Sequence, residues 1–174
     1  MKFFFDTSAL VKFFYVESGT EVVTQIIEHP ASEIWISDLA RLEFTCALYR
    51  RYRNKSIDET QLCTASTFFD KQLVSFNVEP LNQLVIDEAQ LLLKKFGKEY
   101  GLRTLDALHL GTYSIITEHC WCFVTSDTTL ANVANRAGFL SLNPLDIIDV
   151  NVSSWIASHT QNHPSETIHP YGVK

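Results

Sequence analysis

The sequence predicts an α/β fold of three layers, in which a central and mainly parallel sheet of about four to five strands lies between two layers of helices. Two observations favour this fold. Short apolar runs alternate along the chain with longer segments whose apolar residues recur at helical spacing. Strands that alternate with helices are joined by right-handed crossovers, which make the strands parallel and place helices on both faces of the sheet.

Five short apolar runs suit buried strands. In chain order they cover residues 2–5, 33–36, 76–79, 121–125 and 139–142. The first ends where Asp6 interrupts the apolar run, and the last follows a break at Gly138. Each of these runs is too short for a typical helix, so strands are the better interpretation.

Two helices are predicted between the first two strands. Ser8 can cap the first helix, which continues to about Tyr15. Gly19 and Thr20 break the helical pattern and restart it, and the second helix ends before His29 and the proline that follows it.

Two further helices precede the third strand. Ser37 can cap the first of them, which ends in a basic run that extends to Lys55. The segment 56–59 reads Ser-Ile-Asp-Glu and forms a capping box, so a new helix begins there and continues to about Val74.

The second half of the chain predicts three helices. Residues 84–98 form a strong helical pattern that Gly101 stops. Thr104 can cap the next helix, and residues 128–137 form a last one that Gly138 closes. We therefore expect one domain over residues 1–149, followed by a polar and poorly ordered tail over 150–174.

The composition is that of a folded domain, with 46% hydrophobic and 20% charged residues. The net charge of −6 argues against a broadly basic surface for nucleic acids, although a local basic patch or bound cations can reverse the sign near a site. Asp6 ends the first apolar run before it reaches the length of a signal peptide core, and no run approaches that of a membrane helix. We expect a cytoplasmic protein without a membrane association.

Four acidic residues lie where acids have a chemical use. Asp6 and Asp127 come directly after predicted strands, at the edge of a parallel sheet where ligands bind. Glu43 shares a helix face with apolar residues, and Asp106 lies among apolar residues in the first turn of its helix. Each alone also has a structural interpretation, as a helix cap, a turn residue or an acid favoured by the helix dipole.

The sequence around these acids resembles the PIN domains, and among them the VapC-type toxin ribonucleases. Phe3-Phe4-Phe5-Asp6-Thr7-Ser8-Ala9-Leu10-Val11-Lys12 is similar to the opening of such domains. Leu42-Glu43, Arg103-Thr104-Leu105-Asp106-Ala107-Leu108-His109-Leu110 and Val124-Thr125-Ser126-Asp127 are similar to the segments that carry the other three acids. The resemblance covers residues 2 to 146, in the family's order.

This resemblance implies a PIN-like fold and an endoribonuclease that uses Mg²⁺ or Mn²⁺, the hard cations that clustered oxygen ligands select. Asp6 and Asp106 would hold the principal metal, Glu43 would orient that metal or its water, and Asp127 would complete the site. Ser8 and Thr125 are candidates for hydrogen bonds to the acids, and either can equally serve a cap or a strand end.

The resemblance also implies partners, namely an RNA substrate, a small cognate antitoxin and a second copy of the chain in a homodimer. The candidate RNA contacts are the cations at the end of one predicted helix, which the helix dipole alone would also favour. They are Arg50, Arg51, Arg53 and Lys55. His109, one turn after Asp106, can meet the site, but a structural histidine is the better interpretation.

Two other functions stay open. A phosphohydrolase of the haloacid-dehalogenase type also begins with a strand that ends in Asp, but it requires a second Asp two residues later, where this chain has Ser8. A PIN-like domain without catalysis, which only binds a partner, is the second alternative. Loss of acids marks such domains, and this chain has all four.

Overall fold

The computed structural model describes residues 1–147 and 151–161, and in these ranges it contains one sheet of five parallel strands. The strands are β1 (Lys2–Phe5), β2 (Glu33–Ser37), β3 (Asn77–Glu79), β4 (Trp121–Val124) and β5 (Ser141–Leu142). Their order is β3-β2-β1-β4-β5, so the first strand is central and the chain moves outward from it in both directions. The predicted parallel sheet is confirmed.

Helices cover both faces of the sheet, which confirms the predicted three layers. They are α1 (Thr7–Leu10), α2 (Thr20–Glu28), α3 (Leu39–Arg53), α4 (Glu59–Leu73), α5 (Gln83–Tyr100), α6 (Thr104–Ile116), α7 (Thr128–Arg136) and α8 (Val152–Gln161). In the described ranges, no helix combines the length and the apolar character that crossing a bilayer requires.

The central strand explains how one short run of aromatic residues holds three layers together. Successive side chains of a strand point to opposite faces. Phe3 and Phe5 therefore join the core that the sheet shares with α1 to α4 and α8, while Phe4 joins the core shared with α5, α6 and α7. All three side chains are fully buried.

The first helix differs from its prediction. Helix α1 has four residues and passes into a 3-10 turn at Val11–Phe13, so the predicted continuous helix to Tyr15 is wrong. Its cap is Asp6, whose carboxylate accepts the Ala9 N–H, and not Ser8. The side chain of Asp6 reaches this N–H because the residue has extended backbone geometry, which is typical of an N-cap.

Helices α5 and α6 cross at very close range. A Cβ atom added to Gly111 of α6 would lie 3.1 Å from the backbone nitrogen of Ala89 and 3.2 Å from the carbonyl oxygen of Val85, both in α5. A larger residue would have to push the two helices apart by a few tenths of an ångström, because the atoms in the way belong to the backbone of α5 and not to a flexible side chain. The crossing fixes the position of α6, the helix that carries Asp106.

The predicted tail from residue 150 is wrong for Val152–Gln161, which form α8. Val152 and Ile156 are buried against the core, and the ring of Trp155 lies 6.2 Å from that of Phe3. These three apolar residues recur at helical spacing within a polar segment, and this short pattern was the signal in the sequence. Residues 162–174 of the predicted tail lie outside the described residues.

Candidate active site

Asp6 and Asp127 lie at the same edge of the sheet. Strands β1 and β4 are parallel neighbours, and the Asp6 N–H donates to the Val124 carbonyl at 3.1 Å. Asp127 follows three residues after Val124 and caps α7 by accepting the Leu130 N–H at 2.9 Å, as Asp6 caps α1 by accepting the Ala9 N–H at 3.0 Å. After each of these two strands, an aspartate therefore caps the helix that follows.

The Asp6 carboxylate is buried among hydroxyl groups. Ser8 Oγ donates to it at 2.9 and 3.0 Å from its two oxygens, and Thr125 Oγ1 donates to Oδ2 at 3.0 Å. Burial raises the pKa of Asp6 to about 6, and the charge of His109 and the hydrogen bonds only partly oppose this effect. The residue is 4% exposed, so its ionised form has very little water to stabilise it.

Asp106 and Asp127 raise the negative charge density of the same edge. Burial raises the pKa of Asp106, the charge of Asp127 raises it further, and Arg103 and His109 lower it. Thr125 links Asp6 and Asp127, since its hydroxyl donates to the Asp6 carboxylate and its oxygen accepts the Asp127 N–H at 3.1 Å. Asp106 lies in the first turn of α6, and the charge that raises its pKa belongs to Asp127, the N-cap residue of α7.

Glu43 comes from α3 and binds two side chains from other helices. Its Oε2 accepts a short hydrogen bond from Thr7 Oγ1 and lies 2.7 Å from His109 Nε2. Burial raises the pKa of this carboxyl, but the hydrogen bonds and the charge of His109 outweigh burial and hold the pKa below its ordinary value. Glu43 is thus held as a carboxylate, and its side chain is 23% exposed.

The four acids form one electrostatic group without converging on a point. His109 acts on the charges of Asp6, Glu43 and Asp106, while Asp127 acts on that of Asp106. Within the part of the chain that the structure describes, no three ligating side chains are arranged as they would be around a metal ion.

The donor set nevertheless fits a hard divalent cation. Four carboxylates supply only oxygen ligands, which suit Mg²⁺ or Mn²⁺. Burial raises the pKa values of Asp6 and Asp106 more than their partners lower them, so a bound cation would stabilise the ionised form of both.

A groove of about 560 Å³ opens beside Glu43 and runs along α3. Its walls are mainly apolar and include Val11, Leu42 and Leu105. Thr7 and Glu43 lie at one part of it, and the arginines at positions 50, 51 and 53 lie seven to ten residues further along α3. At a rise of 1.5 Å per residue this separation is about 10–15 Å. The groove therefore carries negative and positive charge at separate places.

The four predicted basic residues lie in different environments. Arg50, Arg51 and Arg53 line the groove, whereas Lys55 follows the end of α3 in a left-handed conformation. Arg51 pairs with Glu17 at 3.2 Å, and its guanidinium lies 4.4 Å from the centre of the Tyr15 ring. The guanidinium of Arg51 is therefore already engaged within the chain.

Thr7 and His109 belong to the site although the sequence does not predict them there. Thr7 has no signal of its own beside Asp6, and the sequence favours a structural role for His109. Their signal was position alone, since Thr7 begins the helix that Asp6 caps and His109 lies three residues after Asp106 on α6. The contact of both with Glu43 joins positions 36 and 66 residues apart in the chain, which no local pattern reveals.

Comparisons with known proteins agree with this architecture. The sequence model of the PIN domain matches residues 3–136. Among solved structures, FitAcB from Neisseria gonorrhoeae is 15% identical with a TM-score of 0.62, and the match covers 83% of this chain and 99% of that one.

Two further solved structures are similar over most of their length. A toxin–antitoxin complex from Klebsiella pneumoniae is 17% identical, with a TM-score of 0.56 and coverage of 81% of this chain and 96% of that chain. VapBC2 from Rickettsia felis, bound to a DNA fragment from its promoter, is 15% identical, with a TM-score of 0.57 and coverage of 82% and 98%. At such identities the likeness shows the fold. No curated protein matches the sequence.

Proposed function

Because this chain belongs to the PIN domain family, we propose that it is a metal-dependent endoribonuclease that hydrolyses RNA and leaves 5′-phosphate and 3′-hydroxyl ends. PIN domains are in general nucleases that use divalent metal ions. One observation carries the proposal for this chain. Carboxylates from four different elements lie in one electrostatic group at the carboxyl edge of the sheet. They are Asp6, Glu43, Asp106 and Asp127.

In this proposal Asp6 and Asp106 would hold the principal Mg²⁺ or Mn²⁺, Glu43 would orient it or its water, and Asp127 would complete the site. The chemistry that such an ion would supply is a more acidic water and stabilisation of charge on the phosphate under attack. The role of Ser8 and Thr125 is to fix the Asp6 carboxylate through their hydroxyl groups, so that its oxygens are presented in one orientation.

The test of the proposal is cleavage of a single-stranded RNA by the full chain with Mg²⁺ or Mn²⁺, compared with the same reaction in excess chelator. We expect 5′-phosphate products with metal and none with chelator, because the carboxylates repel a phosphate unless a bound divalent cation compensates their negative charge. Cleavage that persists in chelator would refute the metal mechanism. A domain that only binds a partner would give no products in either case, and a phosphohydrolase would instead release phosphate from a generic phosphate ester.

We further propose that Arg50 and Arg53 contact RNA phosphates, because both line the groove beside the acids. Lys55, at the end of the same helix, would contribute a weaker and more distant charge. Arg51 takes a different role, since Glu17 and Tyr15 already hold its guanidinium. Through these contacts, Arg51 links α3 to the segment that follows the 3-10 turn and so orders this wall of the groove.

A protein partner of antitoxin type is proposed for the same groove. The similar structures from Klebsiella pneumoniae and Rickettsia felis are a toxin–antitoxin complex and VapBC2. An amphipathic segment with an apolar face would cover Leu42, which is 66% exposed, and Leu105, which is 46% exposed. A basic side chain of that segment, best an arginine, would reach the carboxylates, because its planar fork matches their oxygens.

We expect such an antitoxin to inhibit by competition with the metal. The measurement is Mn²⁺ affinity and RNA cleavage of the purified complex, beside a complex in which the inserted arginine is replaced by glutamine. Inhibition and weakened metal binding should both be relieved by that replacement. A complex with undiminished Mn²⁺ affinity and cleavage would show that the partner leaves the site open.

We also propose a homodimer, as the family resemblance implies. The neighbouring aromatic side chains of Phe13 and Phe14 do not offer a surface for it, since Phe13 packs on Phe68 and Phe14 packs on Phe44, Phe68 and Phe69. A dimer would therefore use other exposed apolar residues. Light scattering at micromolar concentration measures the mass directly, and a monomer mass there contradicts the proposal.

A further inference from the structure

Two side chains from two other helices contact the same oxygen of Glu43, which lies on α3. Thr7 of α1 donates its hydroxyl to Oε2, and His109 of α6 places Nε2 2.7 Å from the same oxygen. Thr7 Oγ1 and His109 Nε2 are themselves 3.2 Å apart. The other oxygen of the carboxylate, Oε1, takes part in no hydrogen bond with the described residues. The two oxygens of Glu43 are thus in different environments.

The contact fixes which nitrogen of His109 carries a hydrogen. A carboxylate oxygen only accepts, so the nitrogen 2.7 Å from it must donate, and Nε2 therefore carries a hydrogen whether or not the ring is charged. The second nitrogen, Nδ1, is buried and has no hydrogen-bond partner among the described residues. A buried polar atom without a partner lowers stability.

This combination separates a functional role from a structural one. His109 is 2% exposed, and apolar residues surround most of α6. If stability alone determined the residue here, an apolar side chain would avoid the unpartnered nitrogen. The feature of His109 that an apolar residue cannot replace is its hydrogen bond to Glu43.

We infer that His109 is a positioning residue, which together with Thr7 fixes Oε2 of Glu43 and leaves Oε1 for the catalytic metal ion. This inference rests on the proposed function and adds two residues to it. Metal sites commonly depend on such hydrogen bonds to their ligands, and removing one typically lowers metal affinity or activity about 10- to 100-fold. The lowered pKa of Glu43 agrees with this arrangement, since the bonds favour the carboxylate form.

The test is Mn²⁺ binding to the metal-free full chain, measured by titration calorimetry at one pH for two pairs of variants. We expect His109→Leu to raise the Kd for Mn²⁺ about 10- to 100-fold. His109→Gln should restore most of the affinity, because its amide nitrogen reaches the position of Nε2. His109→Asn should not, because its amide nitrogen reaches only the position of Nδ1. Thr7→Val should weaken binding, and Thr7→Ser should retain it.

Two further measurements distinguish this role from a merely structural one. Thermal unfolding gives the first: the stabilisation that saturating Mn²⁺ adds should be smaller for His109→Leu than for the parent, whatever the stability of the two proteins in chelator. RNA cleavage by His109→Leu should fall in kcat more than it rises in KM, because the ligand and not the RNA surface has changed. His119→Leu, an exposed histidine replaced in the same way, is the matched control and should bind Mn²⁺ like the parent.

The outcomes distinguish the inference from the function on which it rests. A parent that neither binds Mn²⁺ nor cleaves RNA removes the proposed function and the inference with it. A parent that does both, with His109→Leu equal to it in Mn²⁺ affinity, overturns the inference alone. The inference is also overturned if His109→Gln binds Mn²⁺ as weakly as His109→Leu does. Should His109→Leu fail to fold, the Thr7 pair decides the question by the same comparison.

Discussion

Replacing Asp106 by Asn is expected to lower kcat for RNA cleavage about 100- to 1000-fold, because a metal ligand that stabilises charge in the transition state contributes several kcal/mol. The change removes one negative charge and nearly keeps the shape of the side chain. The pKa of Asp106 is raised by burial and by Asp127, so loss of its charge relieves repulsion within the fold. The variant should therefore fold as well as the parent.

The measurement is single-turnover cleavage of one RNA at saturating Mg²⁺, with thermal unfolding of each protein as a check of folding. Asp87→Asn is the matched control, since Asp87 is an exposed acid on α5 whose side chain bonds only to Gln83 among the described residues. It should cleave at the parent rate. Full activity of folded Asp106→Asn would remove Asp106 from the site.

The second large effect concerns stability in the absence of metal. Burial raises the pKa of Asp6 from 3.8 to about 6. An acid whose folded pKa lies above its unfolded value destabilises the fold when it is ionised. The cost is complete above about pH 6 and disappears below about pH 4, and it is on the order of 3 kcal/mol for a shift of two pKa units. In chelator, Asp6→Asn should therefore be as stable as the parent or more stable at pH 7.5, and its advantage should vanish near pH 4.

Magnesium should remove most of this difference in stability at pH 7.5. A ligand at 100 times its Kd stabilises the folded state by about 2.7 kcal/mol, and Asp6→Asn should lose most of that gain together with activity. Asp87→Asn should unfold like the parent with and without magnesium. If Asp6→Asn is clearly less stable than the parent in chelator and keeps the full magnesium shift, Asp6 is only a helix cap. The hydroxyl groups of Ser8 and Thr125 permit the amide, because each can rotate to accept a hydrogen bond.

The fold was predictable because strands and helices of this chain differ clearly in length and spacing. The strand at residues 2–5 has buried side chains on both faces of the sheet. It therefore forms a continuous apolar run, without the alternation of apolar and polar residues that marks a strand with one face in solvent. The end of the chain was not predictable in the same way. Helix α8 has only three core residues in a polar segment, and its helical state depends on packing against Phe3 and α2.

The acids of the candidate site were predictable because each follows a strand end or stands alone among apolar residues. The contacts between them were not. The ion pair of Arg51 with Glu17 was not predictable either, since the two positions are 34 residues apart in sequence. Thr7 and His109 are adjacent to predicted acids, but their common contact with Glu43 exists only after three helices have packed together.

The dual use of Asp6 and Asp127 as helix caps limits how this chain can change over evolution. Both carboxylates accept the backbone N–H that begins a helix, so a change to alanine removes a cap as well as a charge, at a typical cost of about 1 kcal/mol each. A relative without the proposed catalysis would still need a short polar side chain at these positions to cap the two helices. We therefore expect asparagine or serine at positions 6 and 127 in relatives that keep the fold without the four carboxylates.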